Sequence, residues 1–115
     1  MYQFSYTEIL DDAPDESRKR ERRIFERCLE LLNEAQMAGM GSRQAIEAIT
    51  FTNRLWSVLV EDLAKPDNAL PKELKAELIS IGFWIIGELD RVRKQEVNDF
   101  SSIIEVTDSI AKGLS

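Results

Sequence analysis

The side chains that could do acid–base or metal chemistry form an incomplete set in this sequence. There is no histidine, which removes the commonest general base near neutral pH and the commonest metal ligand. The usual Ser-His and Cys-His nucleophile pairs go with it. The single cysteine, Cys28, falls on the apolar face of a helical pattern and reads as core filling, the usual place of a free cysteine. Standing alone, it excludes a disulfide within the chain and suits a reducing compartment. Carboxylates are plentiful but are mixed with Lys and Arg. Glu61 and Asp62 are adjacent on a helical stretch, so their side chains diverge, whereas paired catalytic carboxylates must flank one substrate atom. Asp11, Asp12, Asp15 and Glu16 could attract a divalent cation, but they lack the ligand spacing and glycine of a calcium loop. Acids at that position read as a solvated helix start that complements the helix dipole. Gly39-Met40-Gly41 follows no strand and is too short for a phosphate loop; it reads as helix termination and a turn. No catalytic, cofactor-binding or metal-binding residue is assigned. An enzyme is not expected, and neither is a cofactor.

The densest basic run is Arg18-Lys19-Arg20-Glu21-Arg22-Arg23. On a helix it points in several directions, Glu21 interrupts it, and the acids before it can pair with it. A solvated helix surface is its simpler reading, with an RNA or partner contact as the alternative. The formal net charge of −6 opposes phosphate binding at long range, so RNA is not expected as a direct ligand.

The elements that must position these groups are helices. At 115 residues, 43% apolar and 31% charged, the chain has the size and composition of one soluble domain spanning 1–115. No stretch approaches the ~20 apolar residues of a membrane span. The opening residues also lack the features of a secretory signal, so a cytoplasmic location without membrane contact is expected. Residues 1–12 form a short arm. Ser5 and Glu8 have capping-box spacing, so an extended segment running into a turn of helix is expected there.

The first long helix is expected from about Pro14 to Ala38, with Ile24, Phe25, Cys28, Leu29, Leu31, Leu32 and Ala35 at helical period. Glycines 39 and 41 end it. Ser42 is a good N-cap for a second helix running to about Lys65. Its apolar residues, from Ile46 to Leu63, cover roughly two-thirds of the circumference. That width marks a helix covered on more than one side, so it is expected to be the central one. Pro66 stops it. A third helix starts near Pro71, with one continuous stripe through Leu74, Leu78, Ile79, Ile81, Ile85, Ile86, Leu89 and Val92. Asn98 or Asp99 can cap a last helix that carries Phe100, Ile103, Ile104, Val106 and Ile110. The connections are short, so neighbours are expected to be antiparallel. The fold class is all-α: a small antiparallel bundle of about four helices with an N-terminal arm.

Some apolar residues lie off these stripes. Trp84 sits about 80° around the third helix from Leu74, beside Glu77, Glu88 and Arg91, and Phe83 lies at the opposite margin. Each could be half-buried against a neighbour or could anchor a protein contact, the role in which aromatics dominate interfaces. Tyr2, Phe4 and Tyr6 in the arm pose the same choice. With Trp56, these are the candidate partner-contacting residues: Tyr2, Phe4, Tyr6, Trp56, Phe83 and Trp84.

Stretches spread over nearly the whole chain carry a family resemblance. They include Met1-Tyr2-Gln3 with Ser5-Tyr6, and Ser42-Arg43-Gln44-Ala45-Ile46-Glu47-Ala48. The most specific is Leu55-Trp56-Ser57 followed by Glu61-Asp62-Leu63. Pro66, Asn68, Leu70-Pro71 and Leu78-Ile79-Ser80-Ile81-Gly82 with Trp84-Ile85 continue it, and Asn98, Phe100, Ile104-Glu105 and Gly113-Leu114 complete it. In order and spacing the sequence resembles FlaF, the flagellar biosynthesis regulator family of alphaproteobacteria. One departure is Lys94-Gln95-Glu96, where the family tends to an Arg-x-Gly turn, so the third helix is expected to run slightly further toward Asn98.

The resemblance implies a role in flagellin production and export, with flagellin as partner and the companion regulator FlbT as a possible second one. An export chaperone would hold an amphipathic flagellin segment by helix-in-groove packing. Two alternatives stand beside it: a post-transcriptional regulator acting with FlbT or on flagellin messenger RNA, and a homodimeric structural adaptor joined through Phe83 and Trp84. A monomer or weak homodimer is expected.

Overall fold

The computed structural model describes residues 15–113, with side chains from Lys19 onward. Four α-helices make up most of this span: α1 (Asp15–Ala38), α2 (Arg43–Leu63), α3 (Lys72–Arg93) and α4 (Ser101–Gly113). No strand occurs among the described residues. The chain is the all-α bundle its periodicity predicts. The arm expected over residues 1–12, and the turn of helix expected in it, lie outside the described residues.

The helix ends follow local chemistry. Gly39 closes α1 with φ at 103°, a region where a side chain would be strained. Its N–H reaches the Ala35 carbonyl at 2.9 Å. Ser42 then works in two directions. Its hydroxyl donates to the Gly39 carbonyl at 2.6 Å and accepts from the Ala45 N–H at 3.1 Å, which satisfies one of the orphan donors of α2. After α2, the Asn68 side chain bonds the Asp62 carbonyl and carboxylate and accepts from the Leu70 N–H. That ties the proline-flanked loop to the helix it leaves. Pro71 occupies the N-cap of α3.

At the end of α3 the structure corrects an expectation. The helix does not run on toward Asn98 but stops at Arg93. Gln95 has φ at 64°, its N–H reaches Val92 O at 3.0 Å, and the Glu96 N–H reaches Arg91 O at 2.8 Å. These two bonds make a Schellman ending, which is normally built on glycine. The hydrogen-bond geometry dictates the stop, and glutamine accepts the left-handed conformation at some cost in strain. Just before it, Asp90 accepts from Arg93 and Lys94. Those bonds, Arg93's first, hold its carboxyl below the ordinary carboxylate value.

The helices pack in the order α3–α2–α1–α4: α1 on α2, α2 on α3, and α4 on α1. Although only a short link joins α3 to α4, α4 packs chiefly on α1. A hydrogen bond from the far end of α1 selects this arrangement. Gln36 Oε1 accepts from the Phe100 N–H at 2.7 Å, and Asp99, rather than Asn98, accepts from Ser101 at 3.0 Å. Phe100 itself is buried. Consequently α1 is as central as α2, since each is packed on two sides.

The core holds Phe25, Leu32, Trp56, Leu78, Ile85, Leu89, Phe100 and Ile103, all nearly inaccessible to solvent. Phe25 and Trp56 meet edge-to-face with centroids 6.0 Å apart, a favoured aromatic geometry. Cys28 is buried as well, its Sγ 3.1 Å from Thr52 Oγ1, and desolvation pushes its thiol pKa up despite the opposing Thr52 bond. Between α2 and α3 the contact is close because residue 82 is glycine. A Cβ there would overlap Val60 Cγ2 and stand 3.1 Å from Trp56 Cε3.

Candidate partner-binding surfaces

The first surface is a groove between α1 and α2. Ile24 from α1 and Phe51, Leu55, Val58 and Leu59 from α2 supply its apolar floor, around an open volume of about 640 Å³. Ile24 is 39% exposed and Val58 62% exposed, although periodicity alone had placed both in apolar stripes. Glu21, Glu61 and Asp62 against Arg54 and Lys65 make a rim of mixed sign. Phe51, Leu55 and Val58 advance by four and three residues, so the floor runs for about two helical turns, roughly 11 Å. That length matches the i, i+3/i+4, i+7 anchor spacing of an incoming helix.

A second channel, about 840 Å³, lies between α2 and α3, and Val58 and Arg54 border it too. Asn53, Ser57, Asp90 and Arg93 give it a polar lining, which suits an apolar helix face less well than the first groove does.

The second surface is the outer face of α3. Phe83 is 63% exposed and Trp84 is 42% exposed. Both therefore stand where a partner could reach them. Trp56 does not. Its indole is buried in the α1–α2–α3 core against Phe25 and the bare Cα of Gly82. Among the described residues its Nε1 has no hydrogen-bond partner. Its inclusion among surface candidates is corrected on that ground: the residue is core and is not offered to a partner. Tyr2, Phe4 and Tyr6 lie outside the described residues.

A model of the flagellar protein FlaF family matches residues 2–114. The chain belongs to this family. No match is found among curated proteins or among solved structures. Membership makes this a flagellar protein. Among the described residues no helix is long and apolar enough to cross a membrane.

Sequence reasoning missed the groove as a site, because Ile24, Phe51, Leu55 and Leu59 look like ordinary core residues in a helical wheel. The available signal was the width of the apolar arc on α2. An arc of two-thirds of the circumference needs cover on three sides, whereas among the described helices α2 packs chiefly on α1 and α3. The uncovered remainder is the groove floor and the exposed Val58.

Proposed function

We propose that this flagellar protein is a non-enzymatic, cytoplasmic export chaperone that holds unassembled flagellin in the groove between α1 and α2. The observation that carries this reading is the open apolar floor of Ile24, Phe51, Leu55, Val58 and Leu59, with its charged rim. Such a floor would take the apolar face of an amphipathic helix, and the rim would pair with the flanking polar residues of that helix. Occupying the helix-forming segments through which flagellin polymerises would keep the subunit unassembled until export.

The test mixes the purified protein with unpolymerised flagellin and, separately, with FlbT, and measures complex mass and affinity. A stoichiometric complex with flagellin, micromolar or tighter, is expected. Val58→Glu, at an exposed position that leaves the core intact, is expected to weaken it at least about tenfold, since removing a buried aliphatic anchor and desolvating a charge costs on the order of 1–3 kcal/mol. Binding to FlbT without binding to flagellin would move the function to regulation through that partner and remove the chaperone reading.

A further inference from the structure

α3 has a property that none of its neighbours explains. From Leu78 to Gly87 its sequence is Leu-Ile-Ser-Ile-Gly-Phe-Trp-Ile-Ile-Gly, ten residues without a charge on any side of the helix. A helix that is apolar all round is normally enclosed. Yet α3 stands at one edge of the α3–α2–α1–α4 row and packs chiefly on α2. One side of the stretch is buried through Leu78, Ile81, Gly82 and Ile85. The other presents Ser80, Phe83, Trp84 and Gly87 to solvent, and a Cβ added at Gly87 would meet nothing within 4 Å. None of these four residues lines the groove assigned to flagellin.

The charges that bound this face suggest what covers it. Glu77 lies seven residues before Trp84 and Arg91 seven residues after it. Seven residues is two helical turns to within about 20°, so the three side chains share one side of α3, and all three are exposed. If a second α3 is laid against the first in antiparallel orientation, with the two-fold axis at Trp84, residue 84−n of one copy faces residue 84+n of the other. Glu77 of each copy then approaches Arg91 of its partner, twice, and joins the ion pairs that Arg91 already makes with Glu88 at 2.7 Å and Glu96 at 3.8 Å in its own chain. A parallel pairing would instead oppose Glu77 to Glu77 and Arg91 to Arg91. The small residues Ser80 and Gly87 stand between Phe83 and Trp84 around the helix and would let the backbones approach.

We infer that the outer face of α3 is a self-complementary surface that pairs two copies of this chain, antiparallel, about Trp84. The face is one helix wide, which is less than the ~800 Å² per partner of a standard stable interface. The dimer is therefore weak and concentration-dependent, with a dissociation constant expected in the micromolar-to-millimolar range. The inference does not depend on flagellin binding, because the two surfaces are separate.

Sedimentation equilibrium of the full chain across that concentration range tests it. Glu77→Arg is expected to weaken dimerisation about tenfold, because it turns two attractive rim pairs repulsive. Arg91→Glu also breaks the pairs with Glu88 and Glu96, so it is expected to weaken dimerisation further, and the double reversal to associate more tightly than Arg91→Glu alone. Phe83→Ser, at an exposed position, is expected to abolish the dimer while helix content and flagellin binding stay as in the wild type. Quenching gives an independent readout: Trp56 is buried and Trp84 is 42% exposed, so iodide reports on Trp84, whose protection should rise with protein concentration. A wild-type chain that remains monomeric through that range overturns the inference. So does a dimer that the single reversals leave unchanged or the double reversal fails to rescue. Protection of Trp84 that is strong and independent of concentration also overturns it, and would assign the cover to residues 1–14.

Discussion

Two glycines five residues apart in α3 allow the contact between α2 and α3 to be weighed directly. Replacing either with alanine gains the same helix propensity, about 1 kcal/mol. At Gly87 the new methyl would meet nothing within 4 Å, so Gly87→Ala is expected to stabilise the protein by most of that amount. At Gly82 the methyl would overlap Val60 Cγ2 and stand 3.1 Å from Trp56 Cε3. Val60 is β-branched with one strongly preferred rotamer in a helix, and the Trp56 indole is enclosed on all sides. Neither can move aside freely, so α3 must shift away from α2 or Val60 must leave its rotamer. Overpacking of this kind costs about 1–3 kcal/mol. Set against the propensity gain, Gly82→Ala is expected to be destabilising by up to about 2 kcal/mol, and the two variants to differ by about 1–3 kcal/mol. Urea unfolding followed by far-ultraviolet circular dichroism, at low protein concentration, reads both on one scale. An unchanged m-value would show that the denatured state is not the source. If Gly82→Ala proves as stabilising as Gly87→Ala, the close approach of α2 and α3 described above is wrong.

Three further outcomes follow from local geometry. Gln95→Gly should raise stability by about 0.5–1 kcal/mol, because relief of the left-handed backbone, about 1–2 kcal/mol, exceeds the added unfolded-state entropy of glycine; a lower urea midpoint would contradict the Schellman ending. Gln36→Ala removes the acceptor for the Phe100 N–H and should cost about 1–2 kcal/mol, with faster hydrogen exchange at Phe100 as its local signature. Cys28, buried beside Thr52, should resist thiol reagents in the native protein and react only as fast as the chain opens. Its raised pKa also sets a sign. The folded state prefers the neutral thiol, so the contribution is fully present below the ordinary thiol value of about 8.5 and is lost as pH rises above it, where the unfolded chain ionises first. Cys28→Ala should flatten that alkaline decline.

The sequence by itself determined the helices and most of their ends. Ser42 was legible as a cap because a hydroxyl at that spacing reaches the N–H three residues on, and Gly39 as a terminator because only glycine enters the left-handed region freely. The buried stripe of α3 followed from helical period alone, as did the burial of Cys28. The family was legible in ordered motifs such as Leu55-Trp56-Ser57 and Glu61-Asp62-Leu63. Gln95 was not legible, because its conformation is imposed by carbonyls at Arg91 and Val92 rather than by its own preference. What only the tertiary structure decided is which side of each apolar helix is covered. Trp56 and Trp84 are the same residue type on apolar helices, yet one is enclosed by α1 and α3 while the other stands at the edge of the row. Ile24 and Val58 fit the apolar pattern as well as Phe25 and Leu63 do, yet they line an open groove, because none of the four described helices lies over them. Period locates the apolar residues on a cylinder; the choice of neighbours, made by contacts such as Gln36 with Phe100 across 64 residues, determines which of them meet solvent.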